Sequence, residues 1–176
     1  RIRRSRYGRD GALMNVAENV LIENSPSFAL SDYTFRVAEA LGVNHLGGYV
    51  KVRFEEEDIT HFSAEADGTE DRVDLTVRLD GEITDDQVKV HIAHEMIHAV
   101  QILTGRLIHI GLTWCEDAHG IVYKHIFDGK EYVNVKYADQ PWELEAYSYE
   151  EEVYNAVESG SETHAEIQSA IPPRRP

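Results

Sequence analysis

The chain has 176 residues, 42% of them apolar, with nine Tyr, two Trp and a formal charge of −15. That apolar mass suffices for one packed domain and excludes a chain disordered by composition. No apolar run reaches membrane-spanning length, no apolar signal segment is visible, and the lone Cys115, read as a small strand residue, forbids an internal disulfide.

Residues 1–10 are a basic arm built on Arg1, Arg3, Arg4, Arg6 and Arg9, and Arg174 and Arg175 close the chain. Between Arg9 and Arg174, ten basic residues face all 32 acids, a formal charge of −22. Such an acidic body repels phosphates, so nucleic acid is not expected as a partner of the folded part. The arms read first as solvated tails and otherwise as docking points in a larger protein assembly. Position 1 is not Met, which fits a processed or trimmed terminus. A cytoplasmic protein without membrane contact is the expectation.

Residues 11–158 are expected to form a single domain, followed by a Ser-, Glu- and Pro-rich tail over 159–176. Leu13, Val16, Ala17, Val20 and Leu21 stand at helical spacing and predict a first helix over 11–23. A second helix is expected from the N-cap Ser31 to Leu41, ended by Gly42. Alternation over Tyr49–Phe54 predicts a strand, and 59–66 and 73–79 are further strand candidates separated by Asp67-Gly68. Thr84-Asp-Asp-Gln87 reads as a capping box opening a long helix that stops at Thr104-Gly105. Residues 106–114 are a strand candidate, and Asp128-Gly129 joins 121–127 to 131–135 as a hairpin. Pro141 opens a last long helix to about Val157. The expected fold class is α+β, a mostly antiparallel sheet packed on the helix that follows Thr84.

That helix contains His94-Glu95-Met96-Ile97-His98. Residues four apart share a helix face, so His94 and His98 can offer two imidazole nitrogens to one ion. Glu95 lies beside the first ligand, placed to take a proton from a water that the ion activates. Val88, Val90, Ile92, Ala93, Met96, Ile97, Val100 and Leu103 make the helix apolar around much of its circumference, hence buried. Buried polar groups need partners, and a Zn²⁺ ion supplies one; core histidines bonded to backbone are the plainer alternative.

A catalytic zinc takes three protein ligands and leaves one position open. Gln140-Pro-Trp-Glu143-Leu-Glu145-Ala146 supplies an acid on a second helix. Here the chain resembles the gluzincin branch of the zincin metallopeptidases, in which a later helix carries a glutamate ligand, often with Ala three positions on. Glu143 with Ala146 fits that spelling and is favoured; Glu145 fits another. The resemblance implies metals His94, His98 and Glu143, the base Glu95, and a sheet edge strand (59–66 or 73–79) that pairs with a peptide substrate. It also implies Asp or Asn four residues after the ligand to hold a His, where this chain has Tyr147 or Tyr149. Glu150, Glu151 and Glu152 read as solvated acids. A competing third ligand is His119, since Glu116-Asp-Ala-His119-Gly120 is similar to the His-Gly element of SprT/Spartan-type proteases, which act near DNA.

His91 shares the face of His94 and reads as a rim residue or a support to it, while His109 reads as a strand-face residue. Tyr123, His125, Tyr147 and Tyr149 are candidates for a second donor to the substrate. The two motifs together also look like short metallopeptidase-like proteins of bacteriophages, which implies host cytosol or virion. The expected function is zinc-dependent peptide hydrolysis, and the rival is an assembly protein that keeps the fold with a structural or vestigial metal.

Overall fold

The computed structural model describes residues 6–7, 13–14, 19–56, 63–79, 83–115 and 119–160. The rest of the basic arm, the start of the 59–66 strand candidate and the tail beyond Gly160 lie outside them. The architecture is α+β. Short strands β1 (Arg6–Tyr7) and β2 (Leu13–Met14) pair antiparallel. They are followed by β3 (Val20–Glu23), α1 (Phe28–Ala40), β4 (Tyr49–Glu56), β5 (Ser63–Thr69) and β6 (Arg72–Leu79). Then come α2 (Asp85–Leu103), β7 (Leu107–Cys115), β8 (Gly120–Phe127), β9 (Lys130–Val133) and α3 (Pro141–Ser159).

The central sheet has the order β3-β4-β6-β5. Its inner face is written by period two: Val20 and Ile22, then Val50, Val52 and Phe54, then Val73, Leu75 and Val77 are buried. Register aligns them, with Val20 beside Val50 and Val50 beside Val73. A slip of one residue would turn this whole set to solvent. Gly48 lets β4 start here: a Cβ on it would come within 2.6 Å of the Glu70 carbonyl oxygen and of Leu103.

Helix α2 lies over that face and is itself covered by α1 and α3. Between Ile92 and Leu103 every residue is buried. The capping box forms as the sequence predicts: Thr84 Oγ1 accepts from the Gln87 N–H at 3.3 Å, and the Thr84 N–H donates to Gln87 Oε1 at 3.0 Å. Gly105, at φ 66°, provides the left-handed residue past the helix end. Strands β7-β8-β9 form a second, antiparallel sheet around the expected Asp128-Gly129 turn.

Four expectations are corrected. The segment 11–23 is not one helix, because Leu13–Met14 and Val20–Glu23 are strands. Val20 and Leu21 fit a helical spacing while Val20 and Ile22 fit a period of two, and parallel pairing of β3 on β4 decides between them. The central sheet is mixed rather than mostly antiparallel: β3–β4 and β4–β6 are parallel and only β5–β6 is antiparallel. Helix α1 begins at Phe28, capped by Ser27, whose side chain accepts from the Leu30 N–H at 3.2 Å; Ser31 is buried inside the helix. Finally, Asp67-Gly68 is strand rather than turn, and the chain reverses at Glu70-Asp71. Gly68 is needed there because a Cβ would run into the Arg72 carbonyl across the hairpin.

Candidate metal centre

Two helices bring the site together. His94 and His98 stand one turn apart on α2 and are 4% and 6% exposed. Glu143 stands in the first turn of α3, just after Pro141. Its neighbour Trp142 is buried against Phe127, Tyr132 and His125, which pins the start of α3 to the second sheet. Glu143, Ala146, Glu150, Val153 and Val157 recur at helical spacing, so the stripe that packs α3 also carries two acids.

The three side chains converge. His94 Nε2 lies 3.1 Å from His98 Nε2 and 3.3 Å from Glu143 Oε2, and His98 Nε2 lies 3.4 Å from Glu143 Oε1. A tetrahedral ion with bonds of about 2.0–2.1 Å sets its donor atoms about 3.3 Å apart. The spacing therefore fits one cation, and this buried group could hold a metal ion.

The outer nitrogens decide which atoms face the site. His94 Nδ1 meets Glu150 Oε2 at 2.7 Å, and His98 Nδ1 meets Gln101 Oε1 at 2.8 Å. The Gln101 amide donates to the Trp142 carbonyl at 3.2 Å and to Glu145 at 3.0 Å, which leaves its oxygen for His98. Each Nδ1 thus carries a proton, and in the neutral ring each Nε2 presents a lone pair inward. In that state two lone pairs and the Glu143 carboxylate face one another, and a cation between them would satisfy all three. Burial disfavours a charge on His94, but Glu143, Glu95 and Glu150 outweigh it and raise its pKa. Burial likewise opposes ionisation of Glu143, yet His94, His98 and Tyr137 hold its carboxyl well below the usual range.

Glu145 is committed elsewhere. It accepts two hydrogen bonds from Arg106 at 2.8 and 2.7 Å, and Arg106 also grips Asp128 at 2.8 and 3.0 Å. Arg106 is 4% exposed. A chain of contacts therefore runs Asp128, Arg106, Glu145, Gln101, His98, and it fixes the ring from outside. Glu150, expected as a solvated acid, holds His94 instead. It stands two turns after Glu143, on the stripe that faces α2, and that i,i+7 spacing was its signal in the sequence. Tyr147 packs its ring on His94, with centroids 4.6 Å apart.

Glu95 is 7% exposed and lines a cleft of about 180 Å³ with His98, Glu143, His109, Tyr137 and residues 64–66 of β5. Burial pushes its pKa up, while His98 and His94 pull it down. His109, assigned only to a strand face by the sequence, turns into this cleft with its Nε2 buried and without a hydrogen-bond partner. Tyr137 was missed altogether; it lies in a short 3-10 turn, its hydroxyl 3.2 Å from that of Tyr147. Nothing in composition or period marks such a turn. His119 sits exposed at the β7–β8 turn and His91 sits exposed one turn before His94; neither joins the three-residue group found among the described residues. In a larger hollow of about 790 Å³, the lining residues Glu23, Arg53 and Glu55 are paired, Arg53 with both acids and Glu23 also with Lys51.

The chain matches no known family model, no curated protein and no solved structure. Among the described residues, no helix is long and apolar enough to cross a membrane.

Proposed function

We infer that the chain is a zinc-dependent metallopeptidase with His94, His98 and Glu143 as metal ligands and Glu95 as general base. One observation carries the reading: three buried acceptors at metal-ligand spacing, each imidazole oriented from behind, with a buried carboxylate on the same helix. Two neutral nitrogens and one carboxylate are a donor set of the zinc-hydrolase kind. When bound, zinc supplies Lewis acidity, lowering the pKa of a water to about 7 and polarising a carbonyl.

The chain's own residues do the rest. Glu95, its pKa raised by burial, takes the proton of the attacking water and passes it to the leaving amine. Glu150 and Gln101 keep both imidazoles in the tautomer that faces inward. His109 and Tyr137 line the cleft where a substrate carbonyl would lie; the Tyr137 hydroxyl is engaged with Tyr147 and Glu143, so His109, whose Nε2 has no hydrogen-bond partner, is the candidate donor there. Strand β5, at the edge of the central sheet, offers backbone groups to an extended peptide. A structural metal would call for a fourth protein ligand, and the group of three among the described residues favours the catalytic reading over an assembly protein with a closed site. With His119 outside the group, the third-ligand role falls to Glu143.

Metal content by elemental mass spectrometry tests this. About one zinc per chain is expected in the wild type, lost in His94→Ala, His98→Ala and Glu143→Ala. Glu95→Gln should keep zinc and fold but lose hydrolysis of fluorescein-labelled casein. A wild type that takes no zinc, even after addition, would refute the metal site and leave the assembly reading. Turnover surviving Glu95→Gln would refute the base.

A further inference from the structure

Strands β7 and β8 form a ribbon whose faces are set by register. The opposed pairs Leu107–Phe127, His109–His125, Leu112–Tyr123 and Trp114–Ile121 share one face, because the extra residue at the bulge, Ile110, keeps them in phase. Along this face burial changes in three steps. At the root, Leu107 and Phe127 belong to the core. In the middle, His109 lines the cleft and His125 packs on Trp142 at 4.6 Å. At the outer end, Leu112 is 66%, Trp114 66%, Ile121 68% and Tyr123 56% exposed. The Tyr123 ring stacks on His125 with centroids 6.2 Å apart, so the apolar strip runs out of the cleft without a break.

We propose that this outer half of the β7–β8 hairpin is the specificity surface of the site, taking an extended apolar segment of the polypeptide whose chain runs through the cleft. This rests on the metallopeptidase reading. The four side chains offer on the order of 500 Å² of apolar surface. Of the ~800 Å² that each partner buries in a standard interface somewhat over half is apolar, so area alone fits a second copy as well as a peptide; the continuity of the strip with the cleft selects the peptide. The strip also begins at the cleft, whose other wall is the edge strand β5; a peptide extended there turns alternate side chains outward.

The test uses zinc-loaded Glu95→Gln protein and two labelled decapeptides of equal positive charge, one rich in Leu and Phe, the other in Ser and Gly. Fluorescence anisotropy should give at least about tenfold tighter binding of the apolar peptide. In the added double variant Leu112→Ser/Trp114→Ser, whose substitutions are exposed, the preference should fall within about twofold at unchanged zinc content. No preference, or a preference that survives the double variant, overturns the proposal. So does a sedimentation result in which the double variant turns a dimer into a monomer, since the strip then belongs to a second copy. Turnover of both peptides by the protein with Glu95 intact is read separately. Turnover without preference overturns the surface and leaves the peptidase; preference without turnover overturns the peptidase and leaves a peptide-binding surface.

Discussion

Glu150→Ala should weaken zinc binding while leaving all three ligands in place. The His94 Nδ1–H lies 2.7 Å from the Glu150 carboxylate, and the ring is 5% exposed. Removing the acid leaves a buried donor unpaired, at a cost of about 1–3 kcal/mol, and frees the ring to turn. It also withdraws a negative charge that makes Nε2 a better ligand. Loss of a partner to a metal-ligating His typically costs 10–100-fold in affinity, or about 1.4–2.7 kcal/mol, which agrees with the hydrogen-bond figure. Glu150→Gln keeps an acceptor but not the charge, and should fall between the wild type and Glu150→Ala. Competition against a chromophoric zinc chelator at pH 7 measures all three. Glu151→Ala, an exposed neighbour on α3, is the control and should bind as the wild type does. An affinity for Glu150→Ala within twofold of the wild type would refute the role of Glu150 in holding His94.

Arg106→Met should lower stability by about 2–4 kcal/mol, less than a fully buried pair would cost because Asp128 is half exposed; urea denaturation of the metal-free protein reads it, and zinc affinity should fall in parallel through Glu145 and Gln101. Thr84→Ala removes the side-chain half of the capping box and should cost about 1 kcal/mol by the same assay, with zinc affinity unchanged. For pH, burial and then His125 lower the pKa of His109 in the fold, and burial lowers that of His125. Between those lowered values and the ordinary histidine value of 6.5, the unfolded chain binds more protons, so stability should rise with pH across that window and be fully present above it. In His109→Gln/His125→Gln the metal-free protein should gain less stability from pH 5 to pH 7 than the wild type does; an equal gain would show that these rings carry no proton linkage.

Much of this molecule is local in origin. The capping box at Thr84, the stop at Gly105, the Asp128-Gly129 hairpin and the opening of α3 at Pro141 depend on neighbours a few residues apart, and the sequence alone determined them. The pairing of His94 with His98 is equally local, because helix pitch puts them on one face whatever surrounds them. Glu143 was legible as a candidate ligand only by its spacing to Ala146; that it reaches the histidines depends on how α3 lies on α2. Tertiary structure alone decided the strand at Val20–Glu23, since Val20 with Leu21 fits a helix and Val20 with Ile22 fits a strand, and only the β4 edge selects one. It also turned Glu150 from a solvated acid into the partner of His94, joined Arg106 to His98 through Glu145 and Gln101, and aimed His109 into the cleft. Those contacts join residues up to 56 positions apart. Their energy comes from burial and hydrogen bonding across packed elements, and no local pattern along the chain encodes which distant group will meet which.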